Sequence, residues 1–387
     1  MRVISTSEAL AEFCRELAKS TFVTVDTEFI RDTTYWPQLC LVQLAGEEGE
    51  GAVDVLAPGI GLAPMFDLLA DGNVLKVFHA ARQDIEIFFN LTAGIPKPIF
   101  DTQVAAMVCG FGDSVGYGPL VAKLVGPSID KSSRFTDWAR RPLTDRQIRY
   151  ALDDVTHLRT VYEKLAHRLR SNGREAWLEE ELTILTDPAT YALDPDNAWR
   201  RLKRIRSTKP DFLGVLRAVA AWREREAQTR DVPRSRVIRD DVLVEIAANR
   251  PANATDLAHI RGITRDFAAG RYGRGALQAV AQGIGHPVTG EPDKSNNPRA
   301  AGPIVDLLKL LLKMRCDEEG VAQRLVATSA DIERIAAEGE ADVGALRGWR
   351  REIFGTDALA LREGRLGVVL DGGKLALFKP GPKGPPD

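Results

Sequence analysis

The sequence predicts an α/β domain followed by two all-α domains, and three observations lead there. Up to about residue 190, Val-, Leu- and Phe-rich runs alternate with amphipathic segments, which is the pattern of a mixed sheet flanked by helices. Beyond that point the strand signals vanish. Two composition breaks then divide the helical remainder, one rich in Asp-Pro and basic residues, the other in Pro, Gly and Asn. The expected boundaries are 1–190 for the α/β domain, 191–210 for a basic linker and 211–283 for a first helical domain. A second linker at 284–303, a second helical domain at 304–370 and a partly disordered tail at 371–387 complete the chain.

Within the first domain, FVTVDTEFI (Phe22–Ile30) and LCLVQLA (Leu39–Ala45) read as strands. Gly46–Gly51 reads as a turn and AVDVL (Ala52–Leu56) as a third strand, which together give an antiparallel meander. MFDLLA is helical, VLKVFH (Val74–His79) is a strand, and a helix begins at Asp84. A further helix has Asp101 as its N-cap. Leu143–Arg170 forms a long amphipathic helix with Thr144 or Asp145 as its cap.

Composition limits the function classes. The 387 residues carry a formal charge of −2, which excludes a wholly basic nucleic-acid coat but leaves room for a local basic surface. Four scattered cysteines form no CxxC pair, which argues against a disulfide framework or a zinc site and fits a reducing cytoplasm. No signal-peptide pattern opens the chain and no apolar run approaches the ~20 residues of a membrane span, so a cytoplasmic setting without membrane contact is expected.

The chemistry lies in spaced carboxylates. Asp26 and Glu28 are two apart in a strand, so they project from one face and repel. Taken alone, the pair is either a solvated strand end with Arg31 as ion-pair partner or the seat of a cation. Asp84 opens the helix after Val74–His79, either as an acid favoured by the helix dipole or as a functional group. Tyr150 and Asp154 are four apart on the long helix and share a face, whereas Asp153 is turned away by about 100° and is expected in solvent. His79 and His157 are read as packed or hydrogen-bonded residues. Phe29, Tyr35 and Trp36 could stack on bases, with Phe29 assigned to the core.

The order strand DxE, helix-start Asp, helical YxxxD resembles the DEDD superfamily of 3′→5′ exonucleases, in the subclass with a tyrosine in the last motif. The flanking segments DTEFIRDTTYWPQLCLVQLA, FHAARQDIEIFF, IFDTQVAAMV and SSRFTDWARRPLTDRQIRYALDDV are similar to the bacterial ribonuclease D family over residues 20–170. The resemblance implies a ribonuclease-H-like exonuclease fold and a site of Asp26, Glu28, Asp84, Tyr150 and Asp154. It implies two divalent ions, Mg²⁺ or Mn²⁺, with Asp26 shared by both. Glu28 and Asp154 would complete the ion that carries the attacking water, Asp84 would hold the other directly or through water, and Tyr150 would orient the attacking water or help deprotonate it. Hard-oxygen ligands alone suffice for such ions, so neither His nor Cys is required.

The WRE helix at Trp222, Val232–Pro233 and the DDVL helix make 211–283 similar to an HRDC domain, and Leu325–Leu361 resembles a second, divergent one. The first carries twelve arginines against nine acids, and ahead of it six cations fall in ten residues. Arg200, Arg201, Lys203 and Arg204 are therefore candidates for binding nucleic-acid backbone. The resulting expectation is a monomeric 3′→5′ exoribonuclease that trims RNA with a free 3′ end, such as tRNA precursors, and releases nucleoside 5′-monophosphates. A single-strand DNA exonuclease and a non-catalytic RNA-binding adapter are the alternatives. The chain has no P-loop and no strand-linked GxGxxG.

Overall fold

The computed structural model describes residues 1–126, 129–130, 133, 136–203, 205, 207–289 and 302–381. The first domain runs β1 (Val3–Ile4), α1 (Ser7–Leu17), β2 (Phe22–Ile30), β3 (Gln38–Gly46), β4 (Gly49–Val53), α2 (Ala63–Ala70) and β5 (Leu75–Phe78). It continues with α3 (Arg82–Thr92), β6 (Ile99–Asp101), α4 (Thr102–Val108), α5 (Tyr117–Leu124), α6 (Asp145–Ser171) and α7 (Glu175–Thr186). Among the described residues, six strands form one mixed sheet in the order β1-β4-β3-β2-β5-β6. The β2–β3–β4 meander is antiparallel, and β1, β5 and β6 join in parallel.

Alternation along the strands sorts the side chains into two layers. Val23, Val25, Val42 and Leu44 face α1 and α3, where Leu10, Phe13, Ile85 and Phe88 meet them. Leu41 and Ala52 face the other way, onto Ala151 and Leu152 of α6. The start of α6 follows from a capping box, in which Thr144 Oγ1 accepts from Gln147 N and Gln147 Oε1 accepts from Thr144 N. Arg141 fastens the preceding loop with a two-pronged hold on Asp54 and a bond to the Cys40 carbonyl.

Three expectations need correction. β4 begins at Gly49, inside the expected turn, because Gly49 adopts φ 144° and closes the hairpin directly against Gly46. The basic stretch 191–210 is not a free linker over its described residues. Pro195–Arg201 forms a 3₁₀ turn, and Ala198, Trp199, Leu202 and Ile205 are buried in the core of the first helical domain, which outweighs the charge of the residues between them. The expected tail begins inside a hairpin, β7 (Gly367–Asp371) with β8 (Lys374–Phe378), closed by Gly372 and Gly373 at positive φ. Of the second linker, Val288 packs on the first helical domain, while 290–301 lie outside the described residues, as do the last six of the chain.

The first helical domain comprises α8 (Pro210–Arg230), α9 (Arg234–Val237), α10 (Asp240–Asn249), α11 (Ala254–Ala258), α12 (Arg265–Ala269) and α13 (Arg271–Gly283). The second comprises α14 (Gly302–Glu319), α15 (Gln323–Val326), α16 (Ser329–Glu338), α17 (Gly348–Arg350) and α18 (Thr356–Arg362). It docks on the exonuclease-like domain. Trp349 stacks on Trp177 of α7 at 4.4 Å, Arg350 pairs with Glu180 and Glu181, and Ala322 N donates to the Met107 carbonyl at 2.9 Å. Trp177→Ala should weaken this docking by about 3 kcal/mol, the usual cost of truncating a packed aromatic. Hydrogen exchange would read it as faster amide exchange in α14 and α16, with the central strands unchanged.

Candidate active site

The C-terminal part of β2 delivers Asp26 and Glu28 to one face, toward α6. Thr24, one step earlier on that face, donates its hydroxyl to the Val155 carbonyl at 2.8 Å and so fixes β2 against α6 beside Asp154. Carboxylate oxygens of Asp26, Glu28 and Asp154 all lie within 4.8 Å of one another. Tyr150, one turn before Asp154, bonds to it through its hydroxyl and packs near Trp138, with ring centroids 6.1 Å apart. Asp84 comes from the first turn of α3 and is held by the Thr27 hydroxyl at 2.5 Å. Thr27 points away from its neighbours Asp26 and Glu28, as strand alternation requires.

All five residues line one open cleft of about 460 Å³, with Thr27, Phe29, His79, Gln83, Gln103 and Tyr117 among the others. Arg31 does not pair with the acids of β2. It makes a two-pronged bond to Glu86 of α3, so the solvated strand end with its own arginine is not what the fold builds.

Asp101 acts well beyond a helix cap. Its buried carboxylate accepts from Gln103 N at the start of α4 and from Ala80 N and Ala81 N at 3.0 and 2.8 Å. Ala80 sits at φ 61°, a left-handed conformation costly for a residue with a Cβ, and Asp101 holds it there. That turn aims α3, and with it Asp84, into the cleft. His79 is hydrogen-bonded through Nδ1 to Thr102 Oγ1 at 3.0 Å, and burial lowers its pKa. Sequence reasoning missed Tyr117, which stands against His79 and donates to the Asp153 carbonyl at 3.1 Å. It also missed the role of Thr27. A hydroxyl between two acids was the available signal.

Electrostatics follow from crowding. Burial, then Asp154, Asp84 and Glu28, raise the Asp26 pKa well above the usual carboxylate range. Burial pushes Asp84 up to about 7 against the pull of the Thr27 hydroxyl. Burial and the carboxylates of Asp154, Glu28 and Asp26 raise Tyr150, which therefore stays a neutral phenol near pH 7. Carboxylates that resist ionising until a cation arrives, with no thiol or imidazole in the triad of acids, form a donor set suited to hard divalent ions.

The basic candidates scatter. Arg200 lies over the Trp199 ring and bonds Asn197, Arg201 reaches toward Glu224 at 3.7 Å, Lys203 is exposed, and Arg204 lies outside the described residues. Tyr35 is buried against the first helical domain rather than available to a base, whereas Phe29 both packs on the core and lines the cleft.

Comparison with known proteins assigns the chain to a class. A family model described as 3′-5′ exonuclease matches residues 1–170, and one described as HRDC domain matches 212–280. A Ribonuclease D of Granulibacter bethesdensis is 51% identical over 383 residues, covering 98% of this chain and 97% of its own. One of Gluconacetobacter diazotrophicus is 52% identical over 376 residues, covering 96% and 95%. The chain belongs to the ribonuclease D family. The crystal structure of Escherichia coli RNase D, described as an exoribonuclease involved in structured RNA processing, superposes with a TM-score of 0.80 at 28% identity over 93% of this chain and 98% of that one.

A pH dependence follows from the raised carboxylates. In the folded apo protein Asp84 binds its proton up to about pH 7, above its unfolded value, so its contribution to stability is present below the unfolded pKa and is lost as pH rises through about 7. A cation bound at Asp84 would displace that proton. Divalent-ion affinity, titrated calorimetrically from pH 8 to 5.5, should fall about tenfold per unit below pH 7 for each proton released. Asp84→Asn should weaken the affinity throughout and flatten the slope.

Proposed function

We propose that this enzyme removes nucleotides stepwise from the 3′ end of RNA, tRNA precursors included, and releases nucleoside 5′-monophosphates by two-metal hydrolysis. The observation that carries the reading is the convergence of Asp26, Glu28 and Asp154 beside Tyr150 and Asp84 in one open cleft. The four carboxylates would hold two divalent ions, Mg²⁺ or Mn²⁺. When bound, these ions supply Lewis-acid stabilisation of the attacking and leaving oxygens and a water acidic enough to react near neutral pH.

The chain's own residues do the positioning. Asp26, which feels the charges of Asp154, Asp84 and Glu28, would serve both ions; Glu28 and Asp154 would serve one and Asp84 the other. Tyr150, neutral and donating to Asp154, offers its oxygen lone pair to a water O–H and so directs the water's lone pair at phosphorus. Phe29 gives the cleft an apolar wall for the terminal base. Exposed Arg200 and Lys203 lie ahead of the first HRDC domain and are the candidates for contact with the RNA backbone. A monomer in the cytoplasm completes the reading. The cysteines are free and buried, and among the described residues no helix is long and apolar enough to cross a membrane.

A 5′-labelled tRNA precursor with a short 3′ extension tests this. With Mg²⁺ or Mn²⁺ it should shorten as a ladder from the 3′ end, and Asp26→Asn or excess EDTA should abolish the ladder. Activity persisting in EDTA would remove the two-metal assignment, and an intact substrate bound by folded wild-type protein would favour the adapter. Tyr150→Phe should lower kcat about 100-fold with little change in KM.

A further inference from the structure

The turn between β2 and β3, residues 31–37, is gripped from outside its own domain. Asp231, the left-handed residue closing α8 at φ 49°, turns its carboxylate onto the turn. Its Oδ1 accepts from the backbone N–H of both Tyr35 and Trp36, at 3.0 and 2.9 Å. The Tyr35 ring runs into the first HRDC domain, where its hydroxyl donates to Glu224 Oε1 at 2.5 Å. Glu224 has a 1% exposed side chain and accepts a two-pronged bond from Arg234, 2.6 Å on each side. Arg234 also lies over the Tyr35 ring at 4.7 Å, and Gln228 donates to the Tyr35 hydroxyl at 3.2 Å. Burial opposes the charge on Glu224, but Arg234 and Tyr35 outweigh it and keep the carboxyl below its usual range. Ala227 and Val237 enclose the ring. Tyr35 and Glu224 are the buried centre of this network, which Arg234 and Asp231 close from the solvent side.

Its position gives it a consequence. The turn is the direct continuation of the strand that carries Asp26 and Glu28, and the pairing of β2 with β3 slips by one residue between Glu28 and Phe29. Below that slip the strand is held by sheet hydrogen bonds. The ladder resumes past the slip at Phe29 with Leu39 and Ile30 with Gln38, and from its end onward the Arg31–Glu86 pair and the clasp on Tyr35 anchor the turn. Glu28 therefore sits beside an irregularity near the end of the strand, and the first HRDC domain holds the turn that follows.

We propose that the first HRDC domain is a positioning device for the metal-binding strand. Tyr35, clasped by Asp231, Glu224 and Arg234, fixes the β2–β3 turn and through it Glu28 and Asp26, so the domain supports hydrolysis independently of any contact with the RNA. The inference rests on the two-metal reading above. Asp231, Glu224 and Tyr35 are positioning residues and contact no substrate.

The test uses the full chain and two readouts that RNA binding cannot move. One is Mn²⁺ affinity by calorimetry. The other is hydrolysis of thymidine 5′-monophosphate p-nitrophenyl ester, a single nucleotide too small to span the two domains. Asp231→Ala should weaken Mn²⁺ binding and lower kcat on the ester by about tenfold each, with KM nearly unchanged, while Asp231→Asn, which keeps an acceptor oxygen, should retain most of both. Tyr35→Phe removes a single hydroxyl, should show the same split, and serves if Asp231→Ala does not fold. Wild-type metal affinity and ester kcat in both Asp231→Ala and Tyr35→Phe, with only the KM for RNA raised, would overturn the proposal and leave the domain as an RNA holder. Wild-type protein that binds no Mn²⁺ would instead sink the two-metal reading, and this inference with it.

Discussion

Four carboxylates in one cleft repel each other, and much of the first domain is arranged to keep them together. The chain itself makes neighbours only of Asp26 and Glu28; the fold brings the other two to them. Two ride on β2, one opens α3, and one lies deep in α6. Each element is nailed beside its acid: β2 to α6 by Thr24, α3 by Thr27 and by Asp101 under Ala80, and α6 by its capping box and by Arg141. The strain of a left-handed alanine and the burial of ionisable groups are tolerated because the surrounding bonds over-determine the geometry. The repulsion then becomes the means of selectivity. A pocket that raises its own acids' pKa values is discharged best by a compact cation of high charge.

The helical domains extend the same arrangement. One grips the turn that follows β2, and the other docks on α4 and α7. Of the exposed basic residues that suggest nucleic-acid contact, Arg201 is drawn toward the first grip, 3.7 Å from Glu224. Arg234 and Arg350, which take part in the two grips, hold protein carboxylates. Charge counted along the sequence thus overstates the cationic surface offered to RNA, because partners distant in the chain neutralise part of it.

How much of this was legible depended on the range of the interaction. The meander, the helix with Tyr150 and Asp154, and the Thr144 cap follow from local periodicity and capping chemistry, and these appear in the sequence without help. Asp101 was readable as a cap for the same reason, but its hold on Ala80 and Ala81 was not, since it joins segments twenty residues apart. Tyr35 shows the limit most clearly. An aromatic residue just after an acidic motif suggests base stacking, and only the arrival of Glu224 from 189 residues away turns it into a buried anchor. The basic stretch near Trp199 misled because spacing of charge is visible along the chain, whereas the four apolar side chains among the cations declare a core only once α8 is in place. β7 and β8 went unseen because two short strands after a long helical run carry too little alternation to register.

The stacking of Trp177 on Trp349 also constrains how the protein is made. Trp177 leaves the ribosome well before its partner, and at ~5–20 residues per second the interval is on the order of ten to thirty seconds. During that time the first domain can be complete while the indole face meant for the last domain is bare. Arg174, one turn earlier, lays its guanidinium over the Trp177 ring at 4.5 Å and reaches the Val108 carbonyl within its own domain. In the assembled chain the same guanidinium also pairs with Glu319 of the last domain at 2.9 Å, so the seam closing on Trp177 joins a charge pair to an indole stack and is complete only when that domain has arrived.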